Sequence, residues 1–292
     1  MEVSKVLEPI LEEMAAVERE LGAVAARIAS SESASSGILE QISRHPFAVP
    51  GKRLRPALVL LSSLAGEEAS RARGAAAPKE GRSRAAAIRL ATAVEILHAA
   101  SLVHDDIIDG ADLRRHQVSL NKRYGNRVAV LAGDILYTEF FSLISELPVD
   151  AALRSRLLPL FLETTKRMCI GEILAQEAEA SRESLGFEEY LVISEDKTAS
   201  LFAACCEGGA LVGGCGEEGV RRLSEFGLLF GLTFQMLDDL ADRDHGLDPG
   251  VDLRSRTEGY ALRTRAAAAA FGGSSAEVSA LLDSVLAQAL SS

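Results

Sequence analysis

Positive charge is what this chain has too little of. Its 31 lysines and arginines face 42 aspartates and glutamates, giving a formal net charge of −11. That balance excludes a nucleic-acid partner, because a phosphate backbone requires a broadly basic face. Cysteine is scarce too. Cys169, Cys205, Cys206 and Cys215 are the four present, none forms a C-x-x-C pair, and Cys205 and Cys206 lie side by side in an apolar stretch. Buried free thiols in a reducing compartment are the expectation. No uninterrupted apolar run approaches the roughly 20 residues of a membrane span. The opening residues, MEVSKVLEPILEEMAAVERELGAV, are acidic and amphipathic, whereas a secretory leader is basic and then apolar. These absences point to a cytoplasmic protein without a membrane anchor.

Proline is also sparse, at 8 in 292 residues, while alanine and leucine abound and β-branched runs are short. The expected class is therefore all-α, and the length suffices to bury a core without disulfides or structural metal. Val6, Leu7, Ile10, Leu11 and Met14 recur at helical spacing and give a first amphipathic helix. Further helices are expected over 56–66, ending at Gly66, and over 85–109, 126–146 and 151–180. The stretch 187–214 should be helical until its glycines, and 220–244 is apolar nearly all round and so should be central. Residues 44–56 carry three prolines and a glycine and read as a loop. Residues 67–84 are small, charged and aperiodic, the best candidate for a mobile surface loop within one domain spanning 1–292.

Against this apolar background, one short pattern occurs twice. Asp105, Asp106 and Asp109 form Asp-Asp-x-x-Asp, and Asp238, Asp239 and Asp242 repeat it. Positions i and i+4 share a helix face, so like charges stack there. Beside apolar helices such charges cost several kcal/mol each unless paired or metal-bound. A hard divalent cation resolves the conflict. Mg²⁺ takes one or two carboxylates, keeps waters, and fills its remaining positions with phosphate oxygens.

A phosphorylated ligand needs cations as well. Arg114 and Arg115 follow the first cluster and can fork onto phosphate oxygens. GKRLRP (51–56) offers Lys52, Arg53 and Arg55 at a helix start, where free backbone N–H groups also favour anions. His98 lies two turns before Asp105 on roughly the same face. Lys197 and Thr198 place a cation and a hydroxyl inside an otherwise apolar helix.

The ordered set GKRLRP, HDDIIDGADLRR, KT and FQMLDD resembles the trans-prenyltransferases, the head-to-tail polyprenyl diphosphate synthases, over about residues 40–253. The resemblance implies an antiparallel helical bundle around a deep central cavity, the isoprenoid synthase fold, usually a homodimer. It implies three Mg²⁺ ions bridging the aspartate clusters to an allylic prenyl diphosphate. Asp105, Asp106, Asp109 and Asp238 would be metal-proximal, with Asp239 and Asp242 supporting. Lys52, Arg55, His98 and Arg115 match positions holding isopentenyl diphosphate; Arg114, Lys197, Thr198 and Gln235 match those around the allylic diphosphate. The implied reaction ionises the allylic C–O bond, joins the cation to isopentenyl diphosphate, and eliminates a proton.

In that family, bulk before the first cluster stops chain growth. Here Ser101 and Ala100 are small, so a product longer than fifteen carbons is expected, shortened by Ala100→Phe. The floor is left to Leu97, or to Phe140 or Phe141 on a neighbouring helix. The sequence also departs from the family. His116-Gln117-Val118-Ser119 replaces Gly-x-Pro-Thr, and no lysine follows Lys197, leaving Arg243, Arg254 and Arg256 as stand-ins. A subunit of a heteromeric synthase, or a non-catalytic regulator, therefore stands as an alternative, and a class I terpene cyclase as a weaker one.

Overall fold

The computed structural model describes residues 7–30, 37–49, 51–74, 80–114, 116–181, 184–242 and 246–289, with backbone alone at 80–82, 242 and 288–289. Those residues are almost wholly helical. α1 (Leu11–Ala29) buries Val17, Leu21, Val24 and Ile28, the stripe its periodicity implies. α2 (Ile38–Arg44) is short, and a 3₁₀ turn at His45–Phe47 starts the proline-bearing loop. α3 (Leu54–Ala72) and α4 (Glu80–Ile108) follow. Two-residue strands β1 (Leu113–Arg114) and β2 (Gln117–Val118) then pair as a hairpin. α5 (Leu120–Tyr124), α6 (Asn126–Ser145) and α7 (Ala151–Ser181) complete the first half. α8 (Phe187–Ser194) passes through a π-helical turn, Glu195–Ala199, into α9 (Ser200–Val212). α10 (Glu217–Asp242), α11 (Leu253–Ala267) and α12 (Ser275–Ala289) end the described chain.

The glycines read as helix stops are packing surfaces instead. α3 continues past Gly66 and α9 passes through Gly208 and Gly209, because these residues let the two backbones touch. A Cβ on Gly66 would lie 2.9 Å from the Ala210 carbonyl oxygen; one on Gly209 would strike the Val59 carbonyl, and one on Gly213 that of Ser63. No other residue permits so close an approach. The paired order (Val59 with Gly209, Ser63 with Gly213) runs both helices in the same direction. Their starts, and the groups carried there, lie together.

The expected loop at 67–84 is also corrected. Residues 67–72 extend α3, where Glu67 and Arg71 pair at 3.0 Å one turn apart, and residues 80–84 already belong to α4, with the Ser83 hydroxyl donating to the Val212 carbonyl at 3.2 Å. Residues 75–79 lie outside the described residues. Local composition lost to helix-on-helix contact.

The main core gathers Leu58, Leu61, Leu90, Leu97, Phe140, Phe161, Phe202 and Phe230. A satellite cluster of Phe187, Tyr190, Met236, Leu247 and Leu253 sits beside the end of α10. There Leu185 and Leu247 form a parallel bridge that ties the chain after α10 to the start of α8. All four cysteines are free; Cys205 and Cys206 are buried, Cys169 is exposed. By length and hydropathy, α4 (from Ser83) and α6 could cross a membrane. Most of that stretch of α4 is inside the fold, whereas α6 exposes Val130 and Leu131.

Candidate active site

The ends of α4 and α10, the start of α3 and the π turn border a cavity of about 750 Å³. Lys52, Arg55, His98, Asp105, Arg114, Lys197, Thr198, Gln235 and Asp238 all line it. Residues from five separate stretches of sequence thus converge. Leu102, Met168, Leu201 and Phe234 supply its apolar wall.

The basic loop divides its labour. Arg53, offered by sequence as a ligand-facing cation, borders the same cavity but, with a left-handed backbone (φ 51°) at the start of α3, gives its guanidinium to protein carboxylates. Its guanidinium is 7% exposed and pairs with the equally buried Glu95 and, at 2.6 Å, with Glu18. It is a strut. Lys52 and Arg55 on either side face the cavity, with the Arg55 guanidinium 4.4 Å from the Phe202 ring centre and the Lys52 ammonium 5.8 Å from that of Phe234. Aromatic faces hold cations without neutralising them.

In the first acid cluster the three carboxylates differ. Asp106 is buried and accepts from Arg114 Nε and Nη2 at 2.7 and 2.6 Å. Arg114 comes back to it through the β1–β2 hairpin, which turns at His116 with φ +64°. That value suits glycine, so histidine keeps the turn at a cost in strain. Arg115 and Arg243 lie outside the described residues. Asp109 is exposed at the end of α4. Asp105 lines the cavity, and burial, reinforced by the nearby Glu172 carboxylate, pushes its carboxyl up to about 7 in spite of Lys197 and Arg114.

This elevation has a sign. Between about pH 4 and pH 7 the folded chain keeps a proton on Asp105 that the unfolded chain has released. The site therefore subtracts stability as pH rises through that window, by up to about 1.4 kcal/mol per pH unit. Urea unfolding of the wild type and of Asp105→Asn across pH 4–8 is expected to show the gap between them shift in favour of the variant. A constant gap would contradict it.

On α10, Asp238 is exposed to the cavity, and Asp239 is bound up in a hydrogen-bonded chain. Thr198 donates to Gln235 Oε1 at 2.7 Å, Gln235 donates to Asp239 Oδ1 at 3.0 Å, and the Tyr190 hydroxyl donates to Asp239 Oδ2. The side chain of Asp242 lies outside the described residues. A second cavity of about 770 Å³ flanks this chain and shares Lys197, Thr198 and Gln235 with the first. Arg256, a candidate for the missing lysine, stacks instead 4.5 Å over the Phe187 ring, and Arg254 points to solvent.

Lys197 and Thr198 owe their orientation to the π turn, which a 3.6-residue pattern does not reveal. Gly171 of α7 admits it, since a Cβ there would come within 2.7 Å of the Lys197 Cα. Glu172, the next residue, pairs with Lys197 Nζ at 2.7 Å. Burial disfavours the Lys197 charge, but Glu172 more than offsets this, so the ammonium holds its proton more tightly than a free lysine. Glu172, Tyr190 and Glu95 escaped sequence reasoning. An acid inside the apolar MCIGEILA was the available signal for Glu172.

Residues 36–245 match the sequence profile of the polyprenyl synthetase family. The chain belongs to that family. It is 35% identical over 204 residues to a geranylgeranyl diphosphate synthase of Methanosarcina mazei, covering 70% of this chain and 58% of that one. The chain thus spans less than two thirds of that relative's length. It is 34% identical over 289 residues to heptaprenyl diphosphate synthase component 2 of Geobacillus stearothermophilus, covering 94% of this chain and 82% of the relative. A Helicobacter pylori geranyltransferase complexed with magnesium and isoprenyl diphosphate superposes with a TM-score of 0.77 over 98% of both chains at 24% identity, a likeness of fold. The all-α isoprenoid synthase architecture expected of a polyprenyl synthetase is the one present. Among the described residues, no three His, Cys, Asp or Glu side chains gather tightly enough to hold a metal by themselves.

Proposed function

We propose that this polyprenyl synthetase is a Mg²⁺-dependent prenyltransferase that joins isopentenyl diphosphate to an allylic prenyl diphosphate. One observation carries the reading: a cationic wall and a carboxylate wall share one cavity with an apolar lining. Asp105, Asp109 and Asp238 would hold Mg²⁺, with Asp106 and Asp239 steadying the clusters through Arg114 and Gln235. The donor set suits that ion, because Asp105 and Asp238 present carboxylate oxygens to the cavity and burial disfavours the uncompensated charge on Asp105. Scattered acids that need phosphate oxygens to complete a coordination shell also fit three ions held together with substrate. Bound there, Mg²⁺ would neutralise the leaving diphosphate as a Lewis acid.

The chain's own residues account for the rest. Lys52, Arg55, His98 and Arg115 hold the diphosphate of isopentenyl diphosphate. Lys197 and Arg114 offer charge to the allylic diphosphate, whose C–O bond breaks with its electron pair leaving on the diphosphate. Leu102, Met168, Leu201 and Phe234 keep water from the allylic cation. The double bond of isopentenyl diphosphate attacks that cation, and the released diphosphate takes the proton that is lost.

Incubating the purified protein with labelled isopentenyl diphosphate, an allylic primer and Mg²⁺ tests this. Elongated prenyl diphosphate supports it. A cyclised hydrocarbon, or inactivity relieved only by a second polypeptide, overturns it. The second outcome would support a heteromeric subunit, a reading favoured by the similarity to a synthase component over 94% of this chain.

A product longer than fifteen carbons belongs to the same proposal, with one change of residue. Ala100 is wholly buried and lines neither cavity, as do Leu97 and Phe140, whereas Ser101 faces the cavity. Ser101→Phe, in place of Ala100→Phe, is expected to shorten the product by at least one five-carbon unit on reverse-phase thin-layer chromatography. An unchanged product removes Ser101 from the growth path. We also infer a cytoplasmic homodimer, with α6 offering Leu131, 62% exposed, to the partner. Leu131→Arg should then halve the mass measured by light scattering.

A further inference from the structure

Glu172 belongs to none of the motifs singled out above and lines neither cavity, yet it pairs with Lys197, which lines both. α7 meets the π turn through three residues. Arg167 donates Nε to Asp196 Oδ1 at 2.6 Å and Nη2 to Glu195 Oε1 at 2.8 Å. Gly171 lets the two backbones abut. Glu172 then grips the Lys197 ammonium at 2.7 Å. The first two contacts fix the turn, and the third fixes the tip of the side chain it carries.

Asp105 and Asp109 are near enough to strengthen the hold of Lys197 on its proton, but Glu172 is the carboxylate that bonds the ammonium. A lysine on a four-carbon stem could swing onto Asp105 and occupy a carboxylate required elsewhere. The Glu172 side chain is 12% exposed and that of Lys197 37%, so solvent screens the pair from the lysine side only.

We propose that Glu172 is the positioning residue for Lys197, holding its ammonium toward the departing diphosphate and off the first aspartate cluster. The inference rests on the prenyltransferase reading and adds a residue that the reading does not use. Glu172 touches no reacting atom; it acts through Lys197. The expected signature is therefore a fall in kcat without a change at the other cationic group of the cavity, Lys52 and Arg55.

Two measurements with the full chain decide the matter. In the first, Lys197 acetylation by acetic anhydride at pH 8 is followed by mass spectrometry in the wild type and in Glu172→Gln. Release from Glu172 should speed labelling at least threefold, and an unchanged rate overturns the proposal whether or not the protein turns over substrate. In the second, Glu172→Gln is combined with Lys197→Met. Alone, Glu172→Gln should lower kcat roughly tenfold and leave KM for isopentenyl diphosphate within twofold. In the Lys197→Met background it should cost less than twofold more. An equal loss in both backgrounds, or a parallel rise in both substrates' KM, overturns the proposal. A wild type without turnover would instead sink the prenyltransferase reading, leaving the labelling result to stand by itself.

Discussion

Asp105→Asn is expected to lower kcat by roughly 10³-fold while raising, not lowering, the melting temperature at pH 8. The two effects have one cause. Asp105 pays for its location, because burial and the Glu172 carboxylate hold its carboxyl near 7, and at pH 8 the folded chain bears an ionised group that water would solvate better. Asparagine keeps the shape and removes the charge, relieving the folded state. It also removes the strongest candidate for drawing a divalent cation into the cavity. A site that is unstable without its ligand and competent with it is the usual form of a stability–activity trade-off. Turnover of labelled isopentenyl diphosphate and differential scanning calorimetry on the same sample test the pair. A kcat within tenfold of wild type, or a lowered melting temperature, would falsify the assignment.

Arg53→Leu should have the largest effect on folding. The Arg53–Glu95 pair has both side chains less than 8% exposed, and removal of one member leaves a buried carboxylate without compensation. Breaking such a pair costs about 3–5 kcal/mol, or a fall in melting temperature of roughly 5–8 °C at this chain length. Glu18 is half-exposed and adds little. Arg53→Leu combined with Glu95→Gln should recover part of the loss, because the stranded charge goes with it. Failure of that rescue would mean that the left-handed turn at Arg53, and not the ion pair, sets the stability. The single variant should also raise KM for isopentenyl diphosphate, since Lys52 and Arg55 flank the strut.

The sequence was legible where polarity contradicted its surroundings. Paired aspartates at the ends of apolar helices, and a basic loop at a helix start, announced themselves by their cost, and Asp105, Asp238, Lys52 and Arg55 among them line one cavity. Helix positions were equally plain where an apolar stripe recurred, as in α1, or where a long apolar stretch ran unbroken by proline, as in α10. What escaped notice depended on partners distant in sequence. Gly66 and Gly209 looked like stops because the contact that explains them joins residues some 150 positions apart. Arg53 looked like a ligand group because Glu18 and Glu95 are invisible from the motif. The π turn changes the phase of Lys197 by local geometry that no apolar pattern encodes, and Ala100 and Ser101 are equally small but face different ways.

The glycine contact between α3 and α9 reaches further than packing. Lys52 and Arg55 hang from the start of one helix, Lys197 and Thr198 from the turn that feeds the other, and the two are fused backbone to backbone. Such a seam neither slides nor parts by small steps. On the proposed prenyltransferase reading, room for a lengthening hydrocarbon would come from the opposite side of the bundle, and the spacing between the two cationic groups would stay constant from the first addition to the last.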